Sequence, residues 1–537
     1  MAVSGRDAVK NILGEIPFSA ELFWLFRNPE KPLHTRFTLR NLQNAMPQLL
    51  TDAAPYLNTP ADGKNIYIFS TLHYWIEQTA LLGLVMRCSG HRVTMGYLPY
   101  HDWQHPVNHF DLRRQNLYAK EVLNLLEPHV HSVSLLDYRT KEAELPESLV
   151  KEVETVSYYD AQYTLQVETV DLNSDIYKLR QERNLMAARR ILAQVQALKP
   201  DVMIVPNGTI QELGVAYRVA KHLGIPVTTY EFSDQRERIW LAQGSEIMRQ
   251  ETGPMWNAHR DTPFTEARQN RIKSLYAARV QGALWENFAR HWQASPMRGS
   301  AEVRAALGLD DRPIILLATN VLGDSLTLGR QVFSKTMADW IERSVEYFMK
   351  RDDVQVVLRV HPGEVLTHGP SMVDVVNRVA PQLPQHIHLI GPREKVNTYD
   401  IVAMADAGLV YTTTVGMEMA MNGIPVITAG QTHYRGRGFT FEPSSWEEYF
   451  DLLDKMIANP AAYRLSEEKV QQAWHYAWCF FFAFSFMFPW RLVQLWDDAK
   501  ERPLSYILSP EGREKYGATF RYLAGDKIDW PAQGNLD

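Results

Sequence analysis

Cysteine is nearly absent: the 537 residues include two, Cys88 and Cys479. Two thiols in so long a chain build neither a disulfide framework nor a Cys-rich zinc site. Both lie in apolar surroundings and read as buried thiols of a protein from a reducing compartment. A large excess of one charge sign is also missing. Lys and Arg number 56 against 62 Asp and Glu, a net charge of −6, so nothing calls for a nucleic-acid partner. The N-terminal stretch MAVSGRDAVKNILGEIPFSAELFW lacks a basic segment followed by a long apolar one, and a cleaved signal peptide is not expected. There is no P-loop, no GxSxG, no zinc-type His/Cys spacing and no fixed-period repeat. Long hydrophobic runs are scarce. The exception, Trp474 to Trp490 (WHYAWCFFFAFSFMFPW), falls slightly short of the ~20 residues of a spanning helix and carries His475 and Pro489. Its first reading is a helix wedged between domains, its second a contact with a membrane surface. The expected location is the cytoplasm, with peripheral attachment at the inner membrane face on the second reading.

What is present is ordinary globular composition, 45% hydrophobic and 22% charged, which excludes disorder, collagen and coiled coil as the main architecture. Length suggests roughly three to four units, with two large domains equally allowed. Strand and helix patterns then alternate. Asn65–Ser70, a helix over Tyr74–Cys88, the Ser89-Gly90 stop and Arg92–Leu98 make one βαβ unit. Asp201–Pro206, Asn207-Gly208, a helix over Ile210–Leu223 and the strand Ile225–Tyr230 make a second. Another series starts near Arg312, with strands over 313–319, 354–360, 386–390, 408–411 and 424–428 and helices between them. The expected fold is α/β: two Rossmann-like domains facing a cleft, followed by a helical tail crossing back. The expected boundaries are 1–300 for the first domain with helical insertions, 301–443 for the second domain, and 444–537 for the tail packing back on the first.

Ligands of open parallel sheets bind at the carboxyl ends of the strands. In the second series that rule selects Asn320, Arg359 with His361, Gly391-Pro392, and Thr412, Thr413 and Thr414 with Glu418. Thr412-Thr413-Thr414-Val415-Gly416 is a hydroxyl-rich turn leading into a helix, a place for an anion. Glu418 could accept two sugar hydroxyls, or simply complement the helix dipole while the threonines act as caps. Arg359 and His361 alternate onto one side of their strand and suit a phosphate; a loop-capping histidine is the plainer alternative. Arg435 and Arg437 sit in a basic, glycine-rich loop, YRGRGF, that could close on a donor diphosphate or an anionic acceptor, or be plain surface. His101, His105 and His109 recur every four residues, but Pro106 interrupts them and a solvated loop is the better reading, so no metal site is expected.

The string LRVHP, followed by YTTTVGMEMAMNGIPVI, resembles the C-terminal half of GT-B glycosyltransferases. More narrowly it is similar to bacterial capsule and surface-polysaccharide transferases, which include Kdo and sialic-acid transferases with a His-Pro motif. The resemblance covers roughly residues 310–430 well and the earlier βαβ units loosely; threonines stand where serine pairs are common in that group. It implies that His361 contacts the nucleotide-sugar phosphate, that Thr412 to Thr414 bind phosphate or nucleotide, and that Glu418 holds the ribose. It also implies a transferase that needs no bound metal and no cofactor, hexosyl- or Kdo/sialyl-type, with a nucleotide-sugar donor and a glycan or glycolipid acceptor. The missing DxD motif agrees with that.

The first domain should then supply a base for the acceptor hydroxyl. Glu231, with Asp234 close by, is the first choice because burial at a strand end raises a carboxyl pKa; His73 is the second. Asn207 and Gly208 fit close backbone approach to a ligand on the acceptor side. Rival functions are a polyol-phosphate transferase of the teichoic-acid type with a histidine base, a nucleotide-sugar epimerase, and a non-catalytic assembly subunit docking through its aromatic tail.

Overall fold

The computed structural model describes residues 5–27, 37–58, 60–137, 141–283, 285–286 and 295–534. Two units emerge, and they interleave along the chain. The first comprises Met1–Ala161, Asp171–Met248 and Phe486–Ile528; the second comprises Gln162–Val170, Arg249–Ser485 and Asp529–Asp537. The expected tail is thereby divided at about residue 485 between the two units.

Six strands of the first unit come in order: β1 (Asn65–Thr71), β2 (Arg92–Leu98), β3 (His131–Ser134), β4 (Val202–Pro206), β5 (Val227–Phe232) and β6 (Arg238–Gln243). The second unit supplies β7 (Ile314–Ala318), β8 (Gln355–Arg359), β9 (Ile387–Ile390), β10 (Ala407–Val410) and β11 (Val426–Thr428); β12 (Ser485–Met487) closes the series. The first sheet has the order β12-β6-β5-β4-β1-β2-β3, the second β11-β10-β7-β8-β9. Strand pairs β1·β2, β2·β3, β1·β4 and β4·β5 are parallel, and β6 runs antiparallel to β5. Every pair in the second sheet is parallel. Counted within each unit, both sheets follow the 3-2-1-4-5 order of a Rossmann fold. The chain thus carries two Rossmann-like α/β units, the domain content of a GT-B-like fold.

The second sheet shows why its strands are continuous apolar runs. Ile315, Leu317, Val356, Leu358 and Leu409 pack on one face with the helix Met337–Phe348, and Ile314, Leu316, Val357 and Val410 pack on the other. Alternate residues enter opposite layers, so β7, β8, β10 and β11 are buried throughout, and only the edge strand β9 has half-buried positions. Helix limits follow local chemistry. Thr336 caps Met337–Phe348 through the Asp339 amide, and Ser466 caps Glu467–Trp478.

The aromatic run corrects one expectation. It is neither a single helix nor a lipid-facing surface. Glu467–Trp478 is α-helical, Cys479–Ala483 is a π-turn, and the chain then enters β12. Trp478, Phe480, Phe482, Phe484, Phe488 and Trp490 are each at most 2% exposed. The run supplies core to the protein, and within it only Trp474 and Met487 are half-buried. Among the described residues no helix is long and apolar enough to cross a membrane. Both cysteines are buried and unpaired. His105 pairs with Asp102 and His109 with Glu15, and no group of metal-ligating side chains occurs among the described residues.

Candidate functional site

In the second unit β7 lies between β8 and β10, so the chain leaves β7 in one direction and later returns on its other side. Ligands of open parallel sheets bind at the carboxyl ends of the strands beside such a reversal. Three expected residues meet there. Asn320, just past β7, accepts the Thr412 amide on Oδ1 at 3.1 Å, which ties the ends of β7 and β10 together. Thr319 accepts the His361 amide on Oγ1 at 3.0 Å, tying in the end of β8. The His361 ring accepts the Gly363 amide on Nδ1 at 3.0 Å. That bond places the proton of a neutral ring on Nε2 and makes Nε2 a donor. Gly363 is needed for this geometry, because a Cβ would stand 2.8 Å from Nδ1. Thr412 Oγ1 is enclosed with no hydrogen-bond partner in the protein, an orphaned hydroxyl at the switch point.

Other residues of the same expectation are occupied elsewhere. Arg359 does not share a face with His361 in its contacts: it donates to Gly391 O at 2.7 Å and Val396 O at 3.2 Å, bracing the loop after β9. Burial holds its pKa below the ordinary arginine value, with Glu394 opposing. Thr413 is buried, and its carbonyl accepts from Tyr434 Oη at 2.7 Å. Thr414 precedes the short helix Val415–Met421 and makes no side-chain cap bond. Gly416 makes room for Tyr434, since a Cβ would lie 2.3 Å from its hydroxyl. Glu418 departs most from the sugar-binding role. Its carboxylate is 1% exposed, pairs with Arg279 Nε at 2.7 Å and accepts from Tyr399 Oη at 2.8 Å. Those partners use the oxygens that a ribose would need. Arg279 lies 139 positions earlier in a polar helix, Glu266–Gln281, and no local signal connects the two.

In the first unit the switch point lies between β1 and β4. Both strand ends turn through left-handed backbone: Leu72 has φ 67°, Asn207 φ 56° and Gly208 φ 78°. Leucine at positive φ is a genuine outlier, and strain of this kind collects at functional turns. Asn207 accepts the Thr209 amide on Oδ1 at 3.1 Å and donates from Nδ2 to Glu231 Oε2 at 2.9 Å. Gly208 packs against Thr229, where a Cβ would meet Cγ2 at 2.5 Å; this close approach is to the protein's own strand rather than to a ligand. Glu231 stands in β5 and also accepts the Phe232 amide on Oε1 at 3.0 Å. Burial raises its pKa, opposed by the Asn207 bond, the Phe232 amide and the charge of Arg491. Asp234 lies in the turn between β5 and β6. Sequence reasoning missed Arg491, which docks on Ser233 O at 2.9 Å from 258 positions away. His73 opens the helix His73–Cys88 beside strained Leu72. Burial lowers its pKa, and the neighbouring His101 lowers it further. Its Nδ1 is enclosed without a partner.

No family model matches the sequence, and no curated protein matches it. Among solved structures the chain is similar to a KpsC β-Kdo 2,4-transferase of Thermosulfurimonas dismutans, with 16% identity, 52% of this chain and 79% of that one covered, and a TM-score of 0.35. It is also similar to a UDP-GlcNAc 2-epimerase of Neisseria meningitidis solved with UDP-GlcNAc (12% identity, 78% and 98% covered, TM-score 0.25). A family 9 glycosyl transferase of Veillonella parvula is similar at 13% identity, with 77% and 97% covered and a TM-score of 0.19. The fold assignment itself rests on the strand order of the two sheets.

Proposed function

We propose that the protein is a glycosyltransferase that moves a sugar from a nucleotide-sugar donor to a surface-polysaccharide or glycolipid acceptor. The observation that carries this reading is the switch point of the second unit. There Asn320 accepts the Thr412 amide at 3.1 Å and the adjacent Thr319 accepts the His361 amide at 3.0 Å, with an orphaned Thr412 hydroxyl and an Nε2 donor on His361. Hydroxyl, amide and imidazole donors at the carboxyl ends of parallel strands suit a nucleotide phosphate. In the reaction the anomeric carbon–oxygen bond to phosphate breaks, and the bond to the acceptor oxygen forms. The His361 Nε2–H meets the charge that grows on the leaving phosphate, so side chains rather than a metal ion balance it. Glu231 takes the acceptor's proton, its raised pKa bringing it closer to neutral pH and improving it as a base.

His73 is a second candidate for the base, because burial keeps its imidazole neutral and therefore able to accept a proton. A histidine base would favour the polyol-phosphate transfer reading. A thermal-shift panel of CMP, CDP, UDP and GDP tests donor binding. One nucleotide should raise the melting temperature of the full chain, and His361→Ala should abolish that shift. No shift from any of the four, or an undiminished shift in the variant, would overturn the assignment.

A further inference from the structure

One stretch of the second unit is separated in sequence from the rest of it. The chain leaves the first unit after Ala161, runs through Gln162–Val170 in the second, and rejoins the first at Asp171. This strap is closed on itself. Gln162 O accepts the Val167 amide at 3.1 Å, and Gln162 Nε2 donates to Glu168 O at 2.6 Å. Inside the turn Gln166 takes left-handed backbone, φ 54°, uncommon for a residue with a Cβ. Such backbone persists where the surroundings impose it, and here the surroundings are polar anchors. Gln166 Oε1 accepts the His368 amide at 2.7 Å and the Gly369 amide at 3.3 Å. His368 Nε2 donates to Thr164 O at 3.0 Å. Glu168 accepts the Met337 and Ala338 amides at 2.7 and 2.6 Å, at the start of the helix Met337–Phe348.

These anchors fall on the loops that carry the switch-point residues. His368 and Gly369 lie in the loop that begins at His361, and Gly323 lies three residues past Asn320. Both glycines are pressed against the strap. A Cβ on Gly369 would stand 2.5 Å from Gln166 O, and one on Gly323 would collide with Gln162 O and lie 2.9 Å from Gln166 Cα. The His361 loop is therefore tied at its near end to Thr319 and at its far end to Gln166. A segment fixed at both ends keeps its side chains in place. Freeing one end returns conformational entropy that a ligand must remove on binding.

We propose that Gln166 is a positioning residue for the switch point of the second unit: it holds the His361 loop in the geometry that receives the donor's phosphate. The identity of that ligand rests on the nucleotide-sugar reading above; the bracing of the loop does not. Gln166 acts through the backbone of His368 and Gly369 rather than through the substrate, so its effect falls on donor affinity.

The test compares the full chain of the parent with Gln166→Leu, Gln166→Glu and Gly369→Ala. Leucine accepts no amide, glutamate restores the acceptor, and the alanine methyl pushes strap and loop apart while leaving Gln166 in place. CMP, CDP, UDP and GDP are titrated calorimetrically where circular dichroism shows each variant folded, so a merely structural role leaves affinity unchanged. Gln166→Leu and Gly369→Ala should each weaken the nucleotide that binds the parent about tenfold or more. Gln166→Glu should return to within about threefold of the parent, since a carboxylate accepts the two amides at least as well. Hydrogen exchange of the peptide spanning 361–369 should quicken in Gln166→Leu and slow again in Gln166→Glu. Parent affinity in Gln166→Leu, or an equal loss in Gln166→Glu, would overturn the proposal; Gly369→Ala decides if Gln166→Leu does not fold. If none of the four nucleotides binds the parent, the nucleotide reading fails by itself and hydrogen exchange decides. Quicker exchange over 361–369 in Gln166→Leu, reversed in Gln166→Glu, keeps Gln166 as the residue that positions this loop, and unchanged exchange removes it.

Discussion

Glu231→Gln keeps the shape of the side chain and removes its ability to take a proton. The amide oxygen can still accept from Asn207 Nδ2, now at 2.9 Å from Oε2, while the amide nitrogen faces the Phe232 amide that Oε1 now accepts at 3.0 Å. One backbone hydrogen bond is therefore lost, worth about 1 kcal/mol. A second effect opposes it and depends on pH. The folded-state pKa of Glu231 is raised, so the folded protein holds this proton more tightly than the unfolded chain does. The stability linked to that proton is fully present below the ordinary carboxylate range and is lost as pH rises through the raised value. Glutamine carries no such loss. The melting temperature of the variant relative to the parent should therefore climb as pH rises above the ordinary carboxylate range. Activity should move separately. If Glu231 is the base, donor binding stays and transfer falls by roughly 10²–10⁴. The acidic limb of the parent's pH–rate profile should vanish as well. Retained activity in Glu231→Gln, with loss in His73→Ala while donor is still bound, would refute the assignment and move the base to His73. A melting-temperature difference that stays flat with pH would refute the reasoning about burial.

Glu418→Gln should lower stability by about 3–5 kcal/mol in urea unfolding, because Arg279 would keep its buried charge and lose the carboxylate it pairs with at 2.7 Å; near-parent stability would return Glu418 to the ligand-binding list. Gly208→Ala should cost about 1–3 kcal/mol, since both its positive φ and the 2.5 Å approach to Thr229 oppose a Cβ. Arg180 is fully buried between Asp160 and Glu212, at 3.2 and 2.9 Å. Arg180→Met should cost about 3–5 kcal/mol at neutral pH. The Asp160 pKa is already raised by burial, and losing the arginine raises it further, so the variant should recover part of its stability as the pH is lowered in the same urea assay.

The sheets were legible because parallel strands buried on both faces read as unbroken apolar runs. Val354–Val360 and Pro313–Thr319 contain β8 and β7 with a residue or so to spare at either end. Gly90, Gly224 and Gly423 mark helix stops that the structure reproduces with positive φ. The sixth strand was not legible. β6 is held antiparallel to β5, with Glu231 opposite Trp240, through a turn containing no glycine or proline. The aromatic run misled because apolar density looks alike whether it faces lipid or a protein core. Its helix changes to a π-turn at Cys479, and it is the enclosing side chains, far away in sequence, that make it interior.

The site was legible to the extent that strand ends determine it. Asn320, His361 and Thr412 were chosen because each follows a parallel strand, and strand order alone brings those ends together. What a strand end cannot reveal is which partner claims a charged side chain. Arg359 and Glu418 carry the right groups for a phosphate and a ribose, yet the loop carbonyls of Gly391 and Val396 take the first, and Arg279 with Tyr399 takes the second. A buried charge must be satisfied by something, and a partner more than a hundred positions away is invisible to spacing. The uncharged Asn320 and Thr412 carry no charge that a distant partner must claim. An amide or hydroxyl at a strand end can satisfy a backbone group and still have capacity left, as Thr412 does when its amide is bonded and its hydroxyl is not.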